Sequence, residues 1–237
     1  MKDMSAYPTS LGLGPSASSE PHLEFEASLF AEGFALVGAV DEVGRGSAFG
    51  PCCVGVTVVD SSVAAFPPGL RDSKLLRSNV RESLIDPLRH WVRDFAVGEA
   101  SAAEIDEFGL TAALRLAGWR ALAQLTLSPD VIILDGSFDW LSARDATLLA
   151  PEYPDVAVAE VRTLVKADLT CASVAAASVF AKVHRDRLVC ELARHFPGYD
   201  LESNKGYATA SHLAALRLLG PSEHHRVSWK LPVRAAY

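Results

Sequence analysis

The sequence lacks the features that mark membrane, secreted and zinc-ribbon proteins. No apolar run approaches the roughly 20 residues that a membrane-spanning helix needs. The first 21 residues contain no apolar core of the kind found in signal peptides. Cysteines are few, and their spacing is not that of a zinc site: Cys52, Cys53, Cys171 and Cys190. Because two of them are adjacent in an apolar run, we expect buried thiols in a reducing cytoplasm.

An excess of positive charge is also missing. The chain holds 22 Lys and Arg against 29 Asp and Glu, a net charge of −7. The charge is uneven, because residues 181–237 contain nine Lys or Arg against five Asp or Glu, a net of +4, which leaves −11 on residues 1–180. A phosphate-binding face beside a metal-binding body would have this distribution. A solvated surface of mixed sign explains it equally well.

The order of predicted elements indicates one α/β domain over residues 22–237, preceded by a tail. Residues 1–21 are rich in Ser, Pro and Gly, which is typical of disorder. Apolar periodicity predicts helices over 22–35, 78–95, 102–125 and from just after Asp168 to about 196. Strands are predicted over 36–44, 51–60, 95–101, 130–136 and near 156–161. Mixed strands and helices of this kind predict a sheet with helices packed on its faces.

Acidic residues lie where predicted elements begin or end. Asp41 and Glu42 end the first strand, Asp135 ends the fourth, and Asp168 opens the long alanine-rich helix. In open α/β sheets, ligands usually bind at the carboxyl edge of the strands. Structural roles remain open for two of these acids, since Asp135 precedes a glycine as a turn residue would and Asp168 suits a helix N-cap.

Four acids without cysteine or histidine companions favour Mg²⁺ or Mn²⁺ over zinc. Two such ions, roughly 4 Å apart, activate a water and stabilise the leaving oxygen in phosphodiester hydrolysis. Other chemistries lack their patterns here. No serine lies on a recognisable nucleophile elbow, and "GRGSAFG" does not match the dinucleotide-binding glycine pattern.

Seven stretches, from Gly38 to Trp229, occur in the order found in type 2 ribonucleases H (ribonuclease HII) of the bacterial type. They are "GAVDEVGRGSAFGP", "DSKLL", "EIDEFGLTAALRLAGWRAL", "VIILDG", "KADLTCASVAAASVFAKVHRDRL", "NKGYATASHLAAL" and "GPSEHHRVSW". The sequence therefore resembles this family over nearly all of its length apart from the N-terminal tail.

The resemblance implies a ribonuclease H-like fold, with a mixed central sheet, helices on both faces and a C-terminal helical region. It implies an endonuclease that uses two Mg²⁺ or Mn²⁺ ions to hydrolyse the RNA strand of RNA–DNA hybrids. It further implies incision 5′ of single ribonucleotides embedded in duplex DNA, which leaves 3′-hydroxyl and 5′-phosphate ends, as in ribonucleotide excision repair. The expected partners are these nucleic acids, and we expect a cytoplasmic monomer that binds no membrane.

The resemblance also assigns site residues. The family's four metal-binding carboxylates match Asp41, Glu42, Asp135 and Asp168. Its glycine–arginine–glycine loop, which approaches the 2′-hydroxyl and the neighbouring phosphate, matches Gly44, Arg45 and Gly46. Its junction-stacking tyrosine matches Tyr207. Only glycine lets a main chain approach a sugar this closely, and the 2′-hydroxyl is what distinguishes RNA from DNA.

Five basic side chains are candidate phosphate contacts, although each also suits a solvated surface: Lys74, Lys182, Arg185, His225 and Arg226. Four positions depart from the family's commonest residues without removing a carboxylate, a loop glycine or the tyrosine: Ser47, Leu75, Ala167 and Asn204. Competing hypotheses are a type 1 ribonuclease H, a junction resolvase, or a hybrid-binding module without turnover.

Overall fold

The computed structural model describes residues 20–142 and 150–232. The predicted tail over 1–21 therefore lies almost wholly outside the described residues. Within them, five strands form one sheet: β1 (Leu36–Val43), β2 (Cys52–Asp60), β3 (Asp94–Ala100), β4 (Val131–Asp135) and β5 (Glu160–Leu164). The described helices are α1 (Glu24–Ala31), α2 (Ser78–Trp91), α3 (Ala102–Phe108), α4 (Leu110–Leu122), α5 (Ala167–Thr170), α6 (Ala172–Ala193), α7 (Leu201–Asn204) and α8 (Ala210–Leu219).

The sheet is mixed, with strand order β3-β2-β1-β4-β5. The first three strands form an antiparallel meander, and β4 and β5 run parallel to β1. Central strands β1 and β4 are apolar and buried along most of their length, as strands covered on both faces must be. Their parallel pairing brings the carboxyl ends of both strands to the same edge.

Helices cover both faces of the sheet. On one face, α6 crosses β1 and β2, and its alanine-rich first half is almost entirely buried. Small side chains suit this helix because they let its backbone lie close to the sheet. On the other face, α4 packs against β2 and β3 through Leu114, Ala117 and Trp119. A mixed sheet with helices on both faces and a helical C-terminal region confirms the predicted fold class.

Two predicted helices are each broken in two, which corrects their bounds. The helix predicted over 102–125 is interrupted by Gly109, whose φ of +81° ends α3 before α4 begins. The helix predicted after Asp168 is interrupted at Cys171. There the chain is extended because His22 pairs with it, donating to the Thr170 carbonyl at 2.8 Å and accepting from the Ala172 N–H at 3.0 Å.

The last strand also begins later than predicted. Residues near 156–161 were expected to form it, whereas β5 spans Glu160–Leu164. None of the helices in the described ranges is both long enough and apolar enough to cross a membrane.

Candidate active site

The carboxyl edge of β1 and β4 carries three of the four predicted acids. Val40 pairs with Leu134 in the parallel ladder, so the residues that follow them, Asp41 and Asp135, lie side by side. Glu42 is the next residue of β1. The fourth acid, Asp168, lies in the short helix α5, which directly follows β5 at the same edge. The backbone N–H of Ala167 donates to Asp135 Oδ1 at 2.7 Å and so ties α5 to the end of β4.

Asp41 is the most deeply buried of these acids, with 3% of its surface exposed. The pKa of its carboxyl is raised from 3.8 to about 8, mainly by burial and in part by the neighbouring charges of Glu42 and Asp135, against a hydrogen bond from Ser178. Burial likewise raises the pKa of both Glu42 and Asp135. Neighbouring carboxyl groups that are buried in this way need a nearby positive charge if all of them are to be ionised.

Glu42 is only partly satisfied by the residues around it. Its Oε1 accepts a hydrogen bond from Arg45 NH1 at 3.1 Å. Its Oε2 is buried, and no group in the described parts of the chain donates to it. A buried carboxylate oxygen without a donor is costly unless a cation binds it.

Lys74 supplies the positive charge nearest to Asp168. Its Nζ lies 2.8 Å from Asp168 Oδ2 and 3.9 Å from Asp72 Oδ1. Burial would lower the pKa of Lys74, but the hydrogen bond to Asp168 and the surrounding carboxylates outweigh it and raise that pKa. Asp168 itself is not an N-cap, because Lys166 precedes α5 and Asp168 lies inside its first turn. The capping role left open by the sequence is therefore wrong, while the salt bridge to Lys74 is a partner that the sequence did not indicate.

The four acids fit a hard divalent cation by their chemistry. Every candidate donor is a carboxylate oxygen, one of them lacks a partner among the described residues, and three have raised pKa values. The four acids are not gathered around one point. Among the described residues, the three potential metal ligands whose donor atoms all lie within 4.8 Å of one another are a different set. Closing the four acids around an ion requires the Lys74 ammonium to give way or share Asp168.

The loop after β1 is held from below by two buried arginines. Arg226 donates from NH2 to the Gly44 carbonyl at 2.7 Å and from NH1 to the Arg45 carbonyl at 3.0 Å. Arg185 donates to the Pro51 carbonyl at 2.9 Å and to Ser47 Oγ at 2.7 Å. These bonds turn the loop carbonyls toward the protein.

The same loop presents backbone donors to solvent. Arg45 and Gly46 are exposed, and no described residue accepts a hydrogen bond from their backbone N–H groups. Gly44 is required beneath them: its φ is +80°, and a Cβ there would lie 2.2 Å from Arg185 Nε. A loop with inward carbonyls and outward N–H groups is a binding surface for phosphate or hydroxyl oxygens.

Burial separates the five candidate phosphate contacts into two groups. Arg185 and Arg226 are fully buried and donate mainly to backbone carbonyls. His225 is 2% exposed and lies 3.1 Å from His212, nitrogen to nitrogen. We therefore propose that these three side chains support the loop and do not contact phosphate directly. Lys74 is largely exposed, and Lys182 is partly exposed and paired with Asp186 at 2.6 Å.

Tyr207 lies beside the basic residues of α6. Lys182 Nζ and Arg185 Cζ are each 5.5 Å from the centre of its ring. A tight turn positions the tyrosine: Asn204 Oδ1 accepts from the Gly206 N–H at 2.7 Å, and Gly206, with φ +83°, has no room for a Cβ against Phe49. The Gly206 carbonyl in turn accepts from the N–H groups of Ala48 and Phe49, which joins this turn to the loop after β1.

The departures from the family's usual residues have local explanations. Ser47 accepts the Arg185 hydrogen bond, and Asn204 also donates to the Tyr199 carbonyl at 2.7 Å. Ala167 is fully buried beneath Asp135, whereas Leu75 is 57% exposed. Sequence reasoning missed Ser178, which bonds both Asp41 and Ser73. No pattern could have indicated it, since one serine in an alanine-rich helix is ordinary.

Comparison with known sequences shows which family this chain is similar to. The ribonuclease HII family profile matches residues 38–232. Ribonuclease HII of Streptomyces griseus is 45% identical over 200 residues, covering 83% of this chain and 78% of that protein. The enzyme of Ruegeria pomeroyi is 39% identical over 219 residues, covering 92% and 86%.

Solved structures agree as well. Ribonuclease H2 from Pyrococcus horikoshii superposes with a TM-score of 0.63 at 26% identity, covering 83% of this chain and 95% of that one. A ribonuclease HIII solved in complex with Mn²⁺ has a TM-score of 0.64 at 22% identity, covering 94% and 76%, which supports the fold alone. The chain therefore belongs to the ribonuclease HII family, whose members are ribonuclease H endonucleases acting on RNA–DNA hybrids.

Proposed function

We propose that this protein is a metal-dependent endonuclease that cleaves the RNA strand of RNA–DNA hybrids and also incises duplex DNA 5′ of a single embedded ribonucleotide. The products would carry 3′-hydroxyl and 5′-phosphate ends. The observation that carries the proposal is the placement of Asp41, Glu42, Asp135 and Asp168 at one sheet edge, where Asp41 and Glu42 directly precede a loop with outward backbone donors.

The carboxylates would hold one or two Mg²⁺ or Mn²⁺ ions. Bound there, such ions activate a water and stabilise the leaving oxygen of an in-line displacement. Raised carboxyl pKa values and the unpartnered Glu42 oxygen support this assignment, because both mark carboxyl groups that burial has removed from water and that the described residues do not fully pair. Lys74 would balance part of that charge on Asp168 and release it as a cation binds.

Recognition of the ribonucleotide would come from the loop and Tyr207. The N–H groups of Arg45 and Gly46 can donate to the 2′-hydroxyl and to the adjacent phosphate. Tyr207, linked to the loop through Gly206, can stack on the sugar at the junction. Because one turn supports both elements, they would read the same nucleotide. We expect the enzyme to work in the cytoplasm as a monomer.

The decisive experiment compares three duplexes under Mg²⁺ and, separately, Mn²⁺: one with a single ribonucleotide, one with a run of ribonucleotides, and one of DNA alone. We expect cleavage of the first two, 5′ of the ribonucleotide in the first, and none of the third. The Asp135→Asn variant is the control for contaminating nucleases.

Each other outcome identifies a competing function. Cleavage of the ribonucleotide run alone indicates a type 1 activity, and cleavage that ignores the 2′-hydroxyl indicates a resolvase. Tight binding without any cleavage in either metal indicates a hybrid-binding module.

A further inference from the structure

A second cluster of metal-ligating side chains lies away from the four carboxylates. Within the described ranges, Cys53, Glu99 and His184 form the trio of donor residues whose ligand atoms all lie within 4.8 Å of one another. Three of the four acids lie at the ends of β1 and β4 and the fourth lies in α5, whereas this trio joins β2, β3 and α6.

The fold explains why residues so distant in sequence meet here. Cys53 and Glu99 are directly opposite each other in the antiparallel ladder of β2 and β3, so their side chains share a face. Thr57, four residues after Cys53 in β2, has its side chain on the same face. This face lies beneath α6, because Thr57 donates to the Ser173 carbonyl of α6 at 2.9 Å. His184, three helical turns after Ser173, comes down over the pair.

The spacing of the donor atoms is close to that of a tetrahedral site. His184 Nε2 lies 3.5 Å from Glu99 Oε1. Metal–ligand bonds of about 2.0–2.3 Å at tetrahedral angles set donor atoms roughly 3.3–3.8 Å apart. Two of the three donors already have this separation. Moving the thiol sulfur by on the order of 1 Å, a rotation of one side chain, would complete the set.

Access and ligand number are also suitable. His184 and Glu99 have 42% and 45% of their side chains exposed, so an ion can enter from solvent, while Cys53 closes the site from below. Three protein donors leave the fourth tetrahedral position to a water. A thiol, an imidazole and a carboxylate favour Zn²⁺ or Co²⁺ over Mg²⁺, which prefers oxygen donors.

We propose that Cys53, Glu99 and His184 form a second divalent-cation site, specific for thiophilic ions such as Zn²⁺ and separate from the catalytic carboxylates. An ion bound there would cross-link α6 to β2 and β3 and would stabilise the folded chain by mass action. Binding would release the thiol proton, since a coordinated cysteine is a thiolate.

Co²⁺ is a suitable probe because cobalt–thiolate bonds absorb in the near ultraviolet. Reduced full-length protein in excess Mg²⁺, which occupies oxygen-ligand sites, would be titrated with Co²⁺ and, separately, melted with and without Zn²⁺. We expect one Co²⁺ per chain with a thiolate band, and a rise in Tm with Zn²⁺. Cys53→Ser should lose the band and the Tm rise.

Matched variants separate this cluster from other thiols and histidines. His184→Ala removes an exposed side chain, should fold normally, and should weaken Co²⁺ binding at least 10-fold. Cys190→Ser alters a partly exposed thiol and His195→Ala alters a second exposed histidine, both outside the cluster, and both variants should bind Co²⁺ as the wild type does. Absence of the band from the wild type, its persistence in Cys53→Ser, or unchanged affinity in His184→Ala would show that the proposal is wrong.

Discussion

Asp41 combines deep burial with two acidic neighbours, so its ionisation opposes folding. Its pKa is 3.8 in an unfolded chain and about 8 in the folded one, so its contribution to stability is full below pH 3.8 and is lost as the pH rises through 8. We therefore expect Asp41→Asn, in chelator at pH 8, to melt at or above the wild-type temperature. In saturating Mg²⁺, the same variant should show no cleavage. Near-wild-type turnover would contradict the metal-binding role of Asp41.

Tyr207 tests recognition of the sugar at the level of one side chain. Loss of its ring should lower turnover on a single-ribonucleotide duplex by roughly 10-fold or more, the scale of a lost stacking contact worth about 1–3 kcal/mol. Tyr207→Ala should bind plain duplex DNA with almost unchanged affinity and salt dependence, because phosphate contacts supply that binding. Tyr207→Phe keeps the ring and should retain most activity. Equal losses on both duplexes would make Tyr207 a general binding residue.

The loop after β1 contains two glycines that differ in whether a side chain could replace them. Gly44 has a φ of +80° and no room for a Cβ, whereas a Cβ on Gly46 would meet nothing within 4 Å. Gly44→Ala should lower the free energy of unfolding by about 1–3 kcal/mol through strain and displacement of Arg185. Gly46→Ala should leave stability within about 0.5 kcal/mol, the usual range for surface changes, and still slow cleavage where the backbone approaches the sugar.

Urea denaturation and steady-state rates on one preparation of each variant would measure both effects. A stable, fully active Gly46→Ala protein would remove Gly46 from the substrate contact. A Gly44→Ala protein as stable as the wild type would contradict the close packing of Arg185 under the loop.

Local patterns predicted most elements but not their interruptions. The strands that carry Asp41 and Asp135 are apolar and followed by glycine, so the sequence pattern predicts where they end. The break at Cys171 depends on pairing with His22, about 150 residues earlier, and no local signal carries such a contact. Arg185 and Arg226 likewise look like surface cations in sequence, because only tertiary structure supplies the carbonyls that satisfy them.

In the folded molecule, burial and ion pairing leave the C-terminal quarter with less exposed positive charge than its composition suggests. Residues 181–237 have a net charge of +4, yet Arg185 and Arg226 are buried, and Arg187 pairs with Glu82 across to α2. Fewer cations than the sequence count therefore face a nucleic acid. Much of the basic C-terminal quarter instead fixes the loop and the adjoining helices.

Burial of His225 makes stability depend on pH. His225 contacts His212 at 3.1 Å and bonds Ser222, with Tyr199 and His224 around it. Its pKa is lowered from 6.5 to about 4, mainly by burial and in part by the His212 charge. Between these values the unfolded chain binds a proton that the folded chain does not, so the contribution of His225 is full above pH 6.5 and declines toward pH 4.

We expect this decline to disappear in His225→Asn, which keeps a polar side chain but cannot titrate. Urea denaturation of both proteins at several pH values from 7 to 4 would measure the difference in their free energies of unfolding. The carboxyls with raised pKa values titrate in both proteins, so their opposing effect cancels in that difference. The wild type should lose stability relative to the variant as the pH falls. Parallel curves would mean that His225 is protonated in the folded state at the same pH as in the unfolded chain.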